Sequence, residues 1–170
     1  MEDLAVSGVA IDDTSAITVA QVRAKARRRQ VQHGLRLIVV DYLQLMAAET
    51  TRRESTREQD VTSLSRGLKA LAKDLQVPVL ALSQFNRSLK PGEEPTLSHL
   101  RESGALEQDA NVVLLIHRPD GQNVAHEGEV RIIVAKNRGG PKGVVTLRWH
   151  PSETRFADVP VGEPRQESFA

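Results

Sequence analysis

The sequence predicts an α/β protein, a parallel sheet flanked by helices with an antiparallel β-hairpin at its C-terminal end. Three observations predict this. Apolar runs at "LIVV" from Leu37, "VPVLAL" from Val77 and "NVVLLI" from Asn111 are separated by segments of helical pattern. Continuous runs of this length suit parallel strands covered on both faces. The third observation is a change of texture near the end: Val130, Ile132 and Val134 alternate with their neighbours, and Val145, Leu147 and Trp149 alternate on a returning arm. Between these arms lies a turn rich in glycine, proline and basic residues, which reads as a hairpin with a long basic tip.

Taken in order, the first element is a helix from about Thr18 to Gln32. Thr18 and Gln21 have capping-box spacing, Val19, Val22 and Ala26 share a side, and Gly34 provides a C-terminal stop. The strand Leu37–Val40 follows at once, then a polar segment, Glu49 to Arg53. A second helix begins where Ser55 and Glu58 repeat the capping-box spacing, and Val61, Leu64, Leu68, Leu71 and Leu75 fall on one face. The run "VPVLALSQ" gives a second buried strand closing on Gln84, "SLKPGEEPTLS" a loop, and Ser103–Gln108 a short helix before the third strand. Residues 1–157 are expected to form one domain and 158–170 a disordered tail.

Bulk properties restrict the function classes. A chain of 170 residues is large enough to bury a sizeable core. No apolar run is long enough to span a bilayer, and Glu2 and Asp3 occupy the place of a signal peptide's basic region, so a cytoplasmic protein without membrane contact is expected. The absence of cysteine excludes disulfides, thiolate metal sites and thiol nucleophiles. The five histidines have no ligand spacing. A net charge of only +1 means that nucleic acid could be bound only through local basic patches. Three phenylalanines, one tyrosine and one tryptophan are too few for a base-stacking platform.

Two strand ends carry the chemistry. Asp41 directly follows "LIVV", and a carboxylate at that point either faces a ligand beyond the strand's carboxyl end or opens a turn. An apolar strand ending in Asp is also the second nucleotide motif of P-loop NTPases, where the carboxylate helps to hold Mg²⁺. Gln84 closes the neighbouring run and reads either as an amide near a γ-phosphate or as a satisfied polar group.

Four stretches, "LIVVDYLQLM", "SRGLKALAKDLQVPVLALSQFNRSL", "LSHLRESGALEQDANVV" and "VAKNRGGPKGVVTL", occur in an order and spacing that resemble the C-terminal, RecA-like motor domain of DnaB-type replicative DNA helicases. The resemblance runs from about Ile11 to Phe156. It implies a RecA-like sheet, ATP and Mg²⁺ as cofactors, single-stranded DNA as a partner, a homohexameric ring, and possible contacts with primase and a helicase loader. Asp41 would act on Mg²⁺ through water and Gln84 on the γ-phosphate. Arg101, Glu102 and Gly104 would follow a phosphate of single-stranded DNA. Lys136, Asn137 and Arg138 would reach a neighbouring subunit's ATP, with Arg138 as the arginine finger.

Three positions depart from the family's pattern: Phe85 stands for Leu, His99 for Asp and Asn137 for Gln. A larger departure is that no Gly-Lys dipeptide occurs, so there is no G-x-x-x-x-G-K-[ST] phosphate cradle. The resemblance puts that loop upstream of this chain, leaving an incomplete core that is expected to be inactive alone. Rival readings are a non-enzymatic fragment that binds DNA or a helicase subunit, and part of a RecA- or clock-type ATPase.

Overall fold

The computed structural model describes residues 8–48, 56–86, 88–100, 104–119 and 128–159. Its backbone falls into two compact units, Met1–Gln84 and Phe85–Ala170.

In the first unit, helix α1 spans Val19–His33. Thr18 caps it as expected: its hydroxyl accepts from the Gln21 N–H at 3.3 Å, and the Gln21 carboxamide oxygen accepts from the Thr18 N–H at 3.0 Å. Gly34 ends it with φ 77°, a conformation that costs glycine little. Helix α2 spans Arg57–Leu75 and buries Val61, Leu64, Leu68, Leu71 and Leu75, the predicted face.

The cap of α2 differs from expectation. Thr56 and Gln59 form the capping box, one residue later than Ser55 and Glu58. Both pairs satisfy the spacing. The observed register brings Glu58 and Asp60 together into the first turn, where negative charge favours the helix dipole. The two helices meet where α2 has no side chain: a Cβ on Gly67 would lie 3.1 Å from a Val19 methyl. An Arg23–Asp74 ion pair at 3.3 Å and a bond from the Gln30 amide to the Leu75 carbonyl at 2.9 Å hold their other ends.

Strands β1, Ile38–Val40, and β2, Val79–Ala81, pair in parallel, with Ile38 opposite Val79 and Val40 opposite Ala81. Both were expected to be buried on two faces. Val39 is instead 54% exposed and Leu80 49%, so one face of this pair is uncovered in this chain. The core lies on the other side, around Leu43, Leu64, Leu68 and Leu71.

The second unit holds helix α3, Gly104–Asp109, and an antiparallel sheet in the order β3-β4-β5-β6. Its strands are Val112–His117, Gly128–Asn137, Gly143–His150 and Arg155–Asp158. The predicted hairpin is β4–β5. The predicted third parallel strand is corrected: β3 pairs antiparallel with β4, from Val112 opposite Asn137 to His117 opposite Arg131. Composition hid this arrangement, because "VVLLIH" is apolar on both faces. Burial nevertheless alternates strictly, Val113, Leu115 and His117 inward and Val112, Leu114 and Ile116 outward. Such one-sided burial is the usual habit of an antiparallel sheet. The assembly is thus α/β, a small parallel sheet with helices and a four-stranded antiparallel sheet. Asp158, expected to open the tail, instead ends β6, and residues 160–170 lie outside the described residues.

Candidate functional site

The parallel pair brings two strand ends together. Asp41 is the first residue after β1, joined to Tyr42 by a cis peptide, and its side chain is exposed. No buried carboxylate therefore has to be explained. The pairing continues past the strands, with the Leu82 N–H donating to the Val40 carbonyl and the Leu43 N–H to the Leu82 carbonyl, both at 2.9 Å. Leu43 opens a single 3₁₀ turn, Leu43–Leu45, and is itself only 1% exposed, which anchors the segment after Asp41 in the core. Gln84 follows β2 by three residues and is exposed.

One residue that sequence reasoning missed ties these segments. Gln44 donates from its amide nitrogen to the Ser83 hydroxyl at 3.0 Å, bridging the chain just after Asp41 to the chain just before Gln84. The signal was present, a lone polar residue inside "LQL". The structure brings Asp41 and the Ser83–Gln84 segment to one end of a parallel pair, the position where α/β sheets collect ligands.

Among the described residues no group of three or more His, Asp or Glu side chains could hold a metal by itself. Asp41 as a single exposed carboxylate fits Mg²⁺, which keeps most of its water and shares its coordination with phosphate oxygens.

In the second unit, Arg101 and Glu102 lie outside the described residues, whereas Gly104 is the first residue of α3. A Cβ on Gly104 would meet nothing within 4 Å, so its own fold does not demand glycine there. The approach to this segment is held by His99, whose ring Nδ1 accepts from the Thr96 N–H at 2.9 Å while its backbone carbonyl accepts from the Asn86 N–H at 3.0 Å. Accepting at Nδ1 leaves the neutral ring's proton on Nε2, which faces Glu93 at 3.8 Å. His99 thereby fills an acceptor role that an aspartate could also fill. The Thr96–His99 spacing, that of a cap, was its sequence signal.

Lys136 and Arg138 lie at the end of β4 and do reach one place, as residues two apart on a strand should. That place is the C-terminus of α3. The Lys136 ammonium donates to the Glu107 carbonyl, and also to the Gln108 carbonyl at 3.2 Å. The Arg138 guanidinium donates to the same Gln108 carbonyl at 2.7 Å. The last carbonyls of a helix lack intrahelical partners and carry its negative end, so two cations suit them. A β-bulge re-aims this stretch: Val113 pairs with Lys136 and Leu114 with Val134, leaving Ala135 without a partner in the register. Asn137 turns its amide into the tip, accepting from the Gly139 N–H at 3.2 Å and donating to the Pro141 carbonyl at 3.1 Å.

Comparison with known proteins bears on the family and the fold. The family model for the DnaB-like helicase C terminal domain matches residues 1–158. A replicative DNA helicase DnaB from Geobacillus stearothermophilus is 43% identical over 163 residues, covering 94% of this chain and 36% of that protein. The Buchnera aphidicola (subsp. Acyrthosiphon pisum) protein of the same name is 48% identical over 151 residues, 86% of this chain and 32% of its own length. Among solved structures, one described as an ATPase domain superposes with a TM-score of 0.74 at 35% identity, over 85% of this chain and 52% of that one. A DnaB-like replicative helicase, described with its interactions with primase, gives 0.76 at 35% identity over 88% of this chain and 38% of its own. The chain thus spans about a third of the length of the curated relatives it matches. By its residues, its motifs in register and its fold, this chain belongs to the DnaB-like helicase C-terminal domain family.

Proposed function

We propose that the chain is the C-terminal part of a replicative helicase motor, which couples ATP hydrolysis to movement along single-stranded DNA and so to duplex unwinding in replication. The observation that carries this reading is the emergence of Asp41 and the Ser83–Gln84 segment from the ends of two paired parallel strands, pinned by Gln44. In it, Asp41 orients the water shell of Mg²⁺ beside ATP phosphates, and Gln84 presents its amide to the terminal phosphate. Lys136 and Arg138 act on a nucleotide held by a neighbouring copy, which requires a ring, six-membered by family resemblance. Arg101, Glu102 and Gly104 follow the DNA backbone, so binding is insensitive to sequence and weakens with salt. Primase and a loader are partners by the same analogy. A cytoplasmic site of action follows from the role, and among the described residues no helix is long and apolar enough to cross a membrane.

The sequence holds no Walker-type phosphate cradle, so the chain alone should bind Mg-ATP weakly and turn it over at no appreciable rate. The decisive experiment therefore uses a chimaera in which this chain replaces the matching segment of the Geobacillus stearothermophilus helicase. Asp41→Asn should stop hydrolysis without lowering the melting temperature, because the side chain is exposed. Arg138→Ala should lower turnover on the order of 10³-fold or more while ATP still binds. Mixing that variant with subunits defective only in the phosphate cradle should restore activity at sites pairing a good cradle with a good arginine. Rings that mix yet regain nothing would defeat the trans assignment.

A further inference from the structure

The two ends of the Asn137 amide are both engaged within the hairpin tip. Its oxygen accepts from the Gly139 N–H and its nitrogen donates to the Pro141 carbonyl, so one side chain braces the turn on either side of Gly140. Gly140 supplies the room: a Cβ there would lie 2.8 Å from the Asn137 amide nitrogen, closer than such atoms approach. Between them stands Arg138, whose own N–H donates to the Asn111 carbonyl at 2.9 Å at the start of β3. The backbone of Arg138 is therefore fixed from below by Asn111 and from above by the turn that Asn137 closes.

We propose that Asn137 is a positioning residue for Arg138, acting through the turn, and does not contact the nucleotide. The inference rests on the reading of Arg138 as the cation that acts across subunits. A guanidinium stabilising charge on a transferring phosphoryl group must be held in place before the reaction, since reorientation at that moment costs rate. Asparagine suits the task by its length. Its side chain reaches the N–H two residues ahead, a local bond that mimics a backbone turn. Asn137 and Gly140 form a matched pair in this chain, one filling the space that the other leaves.

Two measurements test this. In the ¹⁵N-labelled chain, Asn137→Ala and Gly140→Ala should each speed hydrogen exchange at the Arg138 and Gly139 amides by about fivefold or more. Asn137→Asp, which keeps the acceptor for Gly139, should speed it less. In the chimaera, Asn137→Ala and Gly140→Ala should lower kcat for ATP about 10- to 100-fold, the cost of a misplaced group. KM should stay within about twofold, and Asp should recover part of the loss. A raised KM with kcat and exchange unchanged would make Asn137 a nucleotide contact and overturn the proposal, as would unchanged turnover in both variants. Should Asn137→Ala fail to fold, Gly140→Ala reads the same effect with Asn137 present. If Arg138→Ala itself leaves turnover intact, the functional reading falls instead, and the exchange measurement still decides whether Asn137 holds the tip.

Discussion

Lys136 and Arg138 can be tested as structural groups before any activity is measured. Helix α3 has only six residues, too few to persist in water without outside support. Its last carbonyls, those of Glu107 and Gln108, receive the Lys136 ammonium and the Arg138 guanidinium, the latter at 2.7 Å. Hydrogen bonds to charged groups contribute roughly 1.5–3 kcal/mol. Arg138 is exposed and Lys136 half-buried, so solvent screening reduces each to about 1 kcal/mol. At 1.4 kcal/mol per factor of ten, either alanine variant should raise local opening of α3 about fivefold, and the double variant about 30-fold if the two contributions add. The reporter is the amide of Ala110, which donates to the Leu106 carbonyl at 3.0 Å across the last turn. Hydrogen exchange followed by NMR on the chain alone would read it, with the paired amides of β4 and β5 as an internal reference for the stability of the second unit. Unchanged Ala110 protection in the double variant would refute the argument. It would mean that the two cations are solvated in practice and that α3 is held by its apolar contacts.

Two further perturbations probe the units separately. Leu71 is fully buried on α2, so Leu71→Ala should destabilise the first unit by about 2–5 kcal/mol, read as a lower urea midpoint for the α2 amides. In the second unit, burial holds the His117 imidazole below its ordinary value of 6.5, with Glu94 and Glu129 opposing and Arg131 reinforcing the effect. The unfolded chain then binds a proton that the folded one refuses. Stability is fully present above about pH 6.5 and is lost as pH falls below it, by at most about 1.36 kcal/mol per pH unit. Denaturation at pH 7.5, 6.5 and 5.5 should show this slope, and His117→Gln should flatten it. A slope unaltered by that substitution would assign the titration to another group.

What the sequence made legible depends on how local the cause is. The caps of α1 and the leucine face of α2 arise from residues a few positions apart, and both are found where the pattern put them. The β4–β5 hairpin forms as expected, but of its alternating apolar residues only Val130 is buried and Val145 is half exposed. The end of β1 at Val40, with Asp41 next, was legible for the same reason. Pairing direction was not. An apolar run states that a strand will be buried without saying against what, and nothing in the composition of β3 names its antiparallel partner β4. The uncovered face of β1 and β2 has the same origin, since Val39 and Leu80 are as apolar as core residues and differ only in what this chain offers to cover them.

The candidate site divides along the same line. Residue types at strand ends could be named from sequence, but the Gln44–Ser83 bond joins positions 39 apart, and the cations of β4 meet carbonyls some 30 residues earlier. Backbone carbonyls carry no sequence signature at all. This is why the sequence offers Lys136 and Arg138 as the basic tip of a hairpin without showing the helix end that they meet in the fold. It is also why the role of Asn137 follows from the turn it closes rather than from the motif in which it stands.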